Sequence, residues 1–269
     1  MKSTSKDSDI TVEDCRSKKE WDNFVTKFQE ANFLQSWDFY EFYKNIEHQI
    51  VRRIVKQGGK IVAAYAGEVE PAKRGRHLAI AGGPILNWQD PALVEAVFSD
   101  MKCIAEKLQC LFVRVRPQLE NNAESAKIFS EHNFKKSPMY LSVEYAGVLD
   151  LTKSEDEILV GMRQRLRRAL KKAEKNDIKI ETTTDPVAIK QFYQIELQTA
   201  KRHAFYAFSE NFLTKQFEAF AKNNEAVLYI AKKNGEILAE NFMIFYGNEA
   251  SYHYGVSSEL GTKYSGAPL

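Results

Sequence analysis

The sequence predicts a mixed α/β fold, an α+β arrangement of largely antiparallel sheets with helices. Three observations carry that expectation. Both halves of the chain read as a strand, two helices and then several antiparallel strands. Hairpin-type turns stand between apolar runs at Gln57-Gly58-Gly59, Asn234-Gly235 and Gly247-Asn248. The 269 residues are 44% hydrophobic and 12% aromatic, which is enough for a sizeable core. The layout suggests a duplication, although no sequence-level repeat proves one.

In chain order, residues 1–9 are polar and read as frayed. Ile10 to Glu13 reads as a first strand, followed by helices over 18–30 and 36–46 rich in Trp, Phe and Tyr. Trp37, Phe39, Tyr40 and Phe42 read as core before ligand platform. His48–Lys56 and Lys60–Ala66 read as a hairpin, and His77–Ile80 as a third strand ending at Gly82-Gly83-Pro84. Asp90-Pro91 supplies an N-cap and a proline at the first helical position, opening a helix to about Leu108. Leu111–Val115 reads as a buried strand, Ala123–His132 as a helix, and Tyr140–Leu149 as a long strand.

The second half opens with Ser154 and Glu157, spaced as a capping box. They are expected to cap the basic helix that lies in the run Gly161–Ile180. Its apolar stripe is Ile158, Met162, Leu166, Ala169, Leu170 and Ala173. The opposite face is cationic: Arg163, Arg165, Arg167, Arg168, Lys171, Lys172 and Lys175, against Glu174. Then follow a strand at Ile178–Thr182, a helix from Asp185-Pro186 to His203, and a helix capped by Ser209 or Asn211. Three strands close the series: Glu225–Lys232, Glu236–Tyr246 and Glu249–Gly255. No closing helix or strand is expected after them. The domain boundary falls at 148/149, giving domains over 1–148 and 149–269.

Net charge is only +2, so the cationic helix is a local feature and no chain-wide affinity for nucleic acid is implied. Cys15, Cys103 and Cys110 lack metal-ligand spacing, and reduced thiols are expected. No apolar run approaches the roughly 18 residues of a membrane span.

Several separated segments together resemble one family. They are Phe33-Leu34-Gln35-Ser36 with the aromatic helix, Gly82-Gly83-Pro84, Val113 to Pro117, and Leu149-Asp150-Leu151 with Ser154–Glu157. Gly161–Lys175, Thr199 with Arg202 to Phe205, Tyr254-Gly255, and Gly266 to Leu269 follow in the same order. This series resembles the FemABX family, aminoacyltransferases that build peptide branches of bacterial peptidoglycan from aminoacyl-tRNA. The resemblance implies tandem acetyltransferase-like (GNAT-like) domains, the second lacking its C-terminal end. A functionally important lysine of the family would lie beyond Leu269, so no catalytic residue is named.

The resemblance further implies an aminoacyl-tRNA donor and a peptidoglycan precursor as acceptor, lipid II or UDP-MurNAc-pentapeptide. It implies a cytoplasmic monomer with peripheral contact at the inner membrane face. Attack of an amine on an activated ester needs alignment and charge stabilisation, with no metal or other cofactor. Arg202, Tyr206, Tyr254 and Lys44 would contact the precursor, Arg202 by paired bonds to phosphate oxygens. Arg202 and Tyr206 share a face if the helix reaches that far. Tyr252 and Tyr254 would share one strand face. His203 reads as a surface residue before a base. Arg167, Arg168, Lys171, Lys172 and Lys175 would meet tRNA phosphates, with anionic lipid headgroups as a second candidate. Arg116 stands where the family commonly has aspartate; it could bind a carboxylate of a different acceptor, or it could sit outside any active site.

Two other functions compete. An acyl-CoA-dependent N-acyltransferase would want a Gly-rich pyrophosphate loop of the Q/R-x-x-G-x-G/A kind, which the sequence lacks. A non-catalytic RNA- or membrane-binding protein would need only the cationic helix.

Overall fold

The computed structural model describes residues 10–73, 75–143 and 145–264. The expected frayed start, and the Gly266 to Leu269 segment, lie outside the described residues. The chain divides into two compact units, Met1–Glu144 with Tyr246–Glu249, and Tyr145–Phe245 with Ala250–Leu269.

The first unit is built on a six-stranded sheet: β1 (Ile10–Asp14), β2 (Gln49–Gln57), β3 (Lys60–Ala72), β4 (Gly75–Gly82), β5 (Ile85–Leu86) and β6 (Phe112–Pro117). Its order is β1-β2-β3-β4-β6, with the short β5 also on β3. The β2–β3 hairpin turns at Gly58 and Gly59, both at positive φ, as the sequence leads one to expect. β4 and β6 are parallel, and the connection between them contains the helix α3 (Pro91–Lys107). Asp90 caps α3, accepting from the Ala92 and Leu93 amides. The inner stripe of α3, Leu93, Val94, Val97, Phe98 and Met101, packs on Val55, Tyr65, Leu78 and Ile80. The other helices are α1 (Lys18–Val25), α2 (Trp37–Asn45) and α4 (Ala123–Glu131). The aromatic run does form core: Phe39, Tyr40 and Phe42 are buried.

Three expectations fail in this unit. α1 stops at Val25, and residues 26–31 turn toward the next element. β6 is not a buried strand, since Leu111 and Phe112 are exposed and it pairs with β4 alone among the described residues. Among the described residues, Tyr140–Leu149 forms no strand. Its β-prone residues Tyr140, Val143, Tyr145, Val148 and Leu149 are exposed.

The second unit contains α5 (Glu155–Gly161), α6 (Gln164–Lys175), β7 (Lys179–Thr183), α7 (Ile189–His203), α8 (Glu210–Ala221), β8 (Ala226–Lys233), β9 (Glu236–Tyr246), β10 (Glu249–Ser257) and α9 (Glu259–Tyr264). Sheet order is β10-β9-β8-β7. Phe192 of α7, Phe217 and Phe220 of α8, and Phe242 of β9 are fully buried. The Phe217 and Phe242 rings meet edge to face at 5.0 Å. Contrary to expectation, a short helix, α9, follows the last strand. The cationic segment is also broken. Ser154 and Glu157 do form a capping box, but it caps α5. Met162 and Arg163 are extended, with ψ of 145 and 141. Gly161 is a poor helix propagator, and cations crowd the start of α6, where the helix dipole opposes them. Along the expected stripe only Ala173 is fully buried; Ile158, Met162, Leu166, Ala169 and Leu170 are half-buried. No helix is long and apolar enough to cross a membrane among the described residues.

Candidate functional site

In the first unit, the Phe33-Leu34-Gln35-Ser36 segment forms a short 3-10 turn and the cap of α2. Gln35 is fully buried. Its Nε2 donates to the Ala66 and Ala81 carbonyls at 3.1 and 2.7 Å, and its Oε1 accepts from the Ala66 amide at 2.9 Å. Gly83 lies against it: a Cβ there would stand 2.5 Å from the Gln35 side chain. This segment is therefore structural. It fixes where α2 lies on the sheet. Lys44 lies in the last turn of α2, exposed, where a cation suits the helix dipole.

The face of the sheet turned away from α3 carries α2 over β2 and β3, and it is polar toward β6. Leu78, Ile80, Val113 and Val115 point into the α3 core, so the alternating residues Ala79, Arg114 and Arg116 point the other way. On the same face Glu68 holds His48 Nδ1 at 2.6 Å and accepts from the Tyr43 hydroxyl. Burial raises the Glu68 pKa, and the bonds from His48 and Tyr43 oppose that shift.

In the second unit, α7 brings Thr199 and Arg202 to the end of β10. Thr199 Oγ1 donates to the Ser257 carbonyl at 3.3 Å. Arg202 Nη2 donates to the same carbonyl and to Thr199 Oγ1, the latter at 3.2 Å. Thr199 and Ser257 line a cavity of about 350 Å³, together with Tyr229, Glu240, Asn241 and Tyr252. The arginine thus stands beside a cavity wall, already committed to a backbone carbonyl.

Arg202 and Tyr206 do not share a helix face. α7 ends at His203, and Ala204 turns left-handed with φ of 54. Tyr206 lies beyond it, fully exposed. Tyr252 and Tyr254 do not share a face either. Tyr252 lines the cavity, whereas Tyr254 lies against Phe208 and Phe242, at 5.6 and 6.0 Å. His253 also meets Phe242, at 5.4 Å, so strand alternation is broken there. His203 is exposed, and the basic side chains of α6 are exposed except Arg167, which donates to the Val160 carbonyl at 2.9 Å. Lys44 belongs to the first unit; the other residues named from the resemblance belong to the second.

Sequence reasoning missed two buried carboxylates and a half-buried histidine here. Glu240 is 2% exposed, and neither carboxylate oxygen has a hydrogen-bond partner among the described residues. Burial lifts its pKa to about 7. Glu196, also buried, accepts from the Phe208 amide and has its pKa raised by burial. His253 meets Gln216 Oε1 at 3.0 Å, and burial lowers its pKa to about 3, so it is a neutral imidazole at neutral pH. The available signal was an acid inside the apolar run Ile237 to Phe245.

Residues 16–139 match the FemAB family model, and residues 161–267 match an acetyltransferase (GNAT) domain model. The chain is 25% identical over 185 residues to an aminoacyltransferase FemA of Staphylococcus epidermidis. That similarity covers 60% of this chain and 44% of the relative, so the chain spans less than half the length of the curated relatives it matches. A crystal structure of FemX superposes with a TM-score of 0.80 at 15% identity, covering 96% of this chain and 85% of that one. A tandem GNAT protein from the clavulanic acid biosynthesis pathway gives a TM-score of 0.58 at 11% identity, covering 97% and 83%. These two neighbours bear on the fold, which is a tandem of acetyltransferase-like units. With a FemAB match on the first unit and a GNAT match on the second, the chain is similar to FemAB-family aminoacyltransferases.

Proposed function

We propose that the protein is an aminoacyltransferase. It moves an amino acid from aminoacyl-tRNA to a peptide amine of a peptidoglycan precursor, forming a cell-wall cross-bridge. The observation that carries this reading is the similarity to the staphylococcal aminoacyltransferase FemA. The exposed α6 supports an RNA donor: Arg168, Lys171, Lys172 and Lys175 offer phosphate contacts, with Arg167 anchored at the helix start. Arg202 supports acceptor binding, since a guanidinium fits phosphate oxygens bidentately. Lys44, Tyr206 and Tyr254 are further acceptor contacts on this reading. The ester is already activated, so the protein mainly aligns the amine and stabilises the charged tetrahedral state.

The test is transfer of label from aminoacyl-tRNA to a muropeptide acceptor, in a preparation carrying the whole protein. Ribonuclease should abolish it. Transfer that survives ribonuclease would exclude the tRNA donor. A second reading, an acyl-CoA-dependent N-acyltransferase, is favoured by the GNAT match over 161–267. Label from acetyl-CoA appearing on the acceptor, with none from tRNA, would select it.

A further inference from the structure

The polar face of the first unit's sheet is ordered in rows by strand register. One row is Glu70–His77–Phe112, the next Glu68–Ala79–Arg114, and the third ends in Ala81–Arg116. Adjacent strands lie about 4.8 Å apart, and two residues along a strand span about 6.6 Å. The face therefore has an acidic border on β3, a floor of small alanines on β4 and a basic border on β6. Glu68, paired with His48, stands at one side. Arg114 and Arg116 stand at the other.

Both arginines are held by uncharged partners among the described residues. Arg116 donates to the Val143 carbonyl at 2.6 Å and to Gln118 Oε1 at 3.0 Å. Arg114 lies 5.7 Å from the Phe112 ring centroid, and Phe112 is itself stacked on His77 at 4.6 Å. Among the described residues, no carboxylate forms an ion pair with either guanidinium. Half-burial lowers the Arg116 pKa with no acid to oppose it. Two positioned, partly desolvated guanidiniums on one face call for an anion. The acidic border limits which anion. A phosphate dianion would be repelled by Glu68 across the alanine floor. A group that carries a carboxylate beside an amine offers one charge to each border.

We propose that Arg114 and Arg116 form a carboxylate-binding pair, and that the acceptor taken on this face carries a free carboxylate beside its amine. Its ammonium faces the Glu68–His48 border before reaction. This rests on the acceptor reading above and names the chemical class of the acceptor.

The test compares three short peptides by calorimetric titration against the unaltered protein. One ends in diaminopimelate, with a carboxylate beside the side-chain amine. The second carries the carboxamide there, and the third carries lysine, which has neither. The first should bind roughly tenfold to hundredfold more tightly, as expected for charge-assisted bonds. R116Q and R114Q should level the three affinities. The ligand comparison needs no variant, so it stands even if R116Q, which loses the Val143 contact, fails to fold. Equal affinities of the unaltered protein for all three would overturn the carboxylate assignment and leave the acceptor reading intact. Binding of none would overturn both. Displacement of the first peptide by inorganic phosphate, but not by acetate, would reassign the pair to phosphate and also overturn the proposal.

Discussion

Single side chains in this protein do very different work. Gln35 satisfies three backbone groups on two strands, so Gln35→Ala strands buried amide and carbonyl groups and should cost roughly 2–4 kcal/mol in chemical denaturation. Arg202→Ala should weaken binding of a precursor about tenfold or more and leave RNA affinity nearly unchanged, both read by titration. An equal loss in both would make Arg202 structural, through its hold on Ser257. Glu240 and His253 set the pH limits of the second unit from opposite sides. The folded pKa of Glu240 lies above the usual 4.5, at about 7, so the unfolded chain sheds its proton first and stability falls as pH rises between those values. Glu240→Gln should remove that slope and stabilise the protein at pH 8, by up to the order of 3 kcal/mol. The folded pKa of His253 is depressed to about 3, so its stability is present above 6.5 and lost as pH falls. Thermal melts of the unaltered protein and of Glu240→Gln from pH 4 to pH 8 check the two signs. These groups were illegible in the sequence because burial and missing partners, not residue type, shift them.

At the scale of elements, the sequence marks helix starts better than helix continuity. Asp90, Ser154 and Ser209 all form caps, although Ser154 caps α5 and not the cationic helix, because a cap is a local hydrogen bond. The break between α5 and α6 was not legible, since it depends on Gly161 and on several like charges meeting one helix dipole. The break leaves α6 a separate, exposed cationic rod. Charge reversal of Lys171 and Lys172 should weaken RNA binding and lower its salt slope by about 2, one unit per lost phosphate contact. Filter binding across a salt series reads this directly. An unchanged slope would return that face to plain solvation. Tyr140–Leu149 shows the opposite failure. Its residue types favour a strand, but a strand needs a neighbour, which no local pattern supplies.

For the whole molecule, the mixed α/β layout was legible from the order of elements, and the tandem of acetyltransferase-like units from the family resemblance. Site geometry was not, because Arg202, Ser257 and Thr199 meet only through folding of residues far apart in the chain. Each unit has its own buried aromatic core, so calorimetry should resolve two thermal transitions. Gln35→Ala should lower one, and Glu240→Gln should move the other. The edge position of β6 has a further consequence, read in amide exchange. In a strand held on one side only, every second N–H is tied to its neighbour and the others face water. Deuterium uptake along Phe112 to Arg116 should therefore alternate fast and slow. Whatever later lies alongside β6 would announce itself by silencing the fast set, before any change in the slow one.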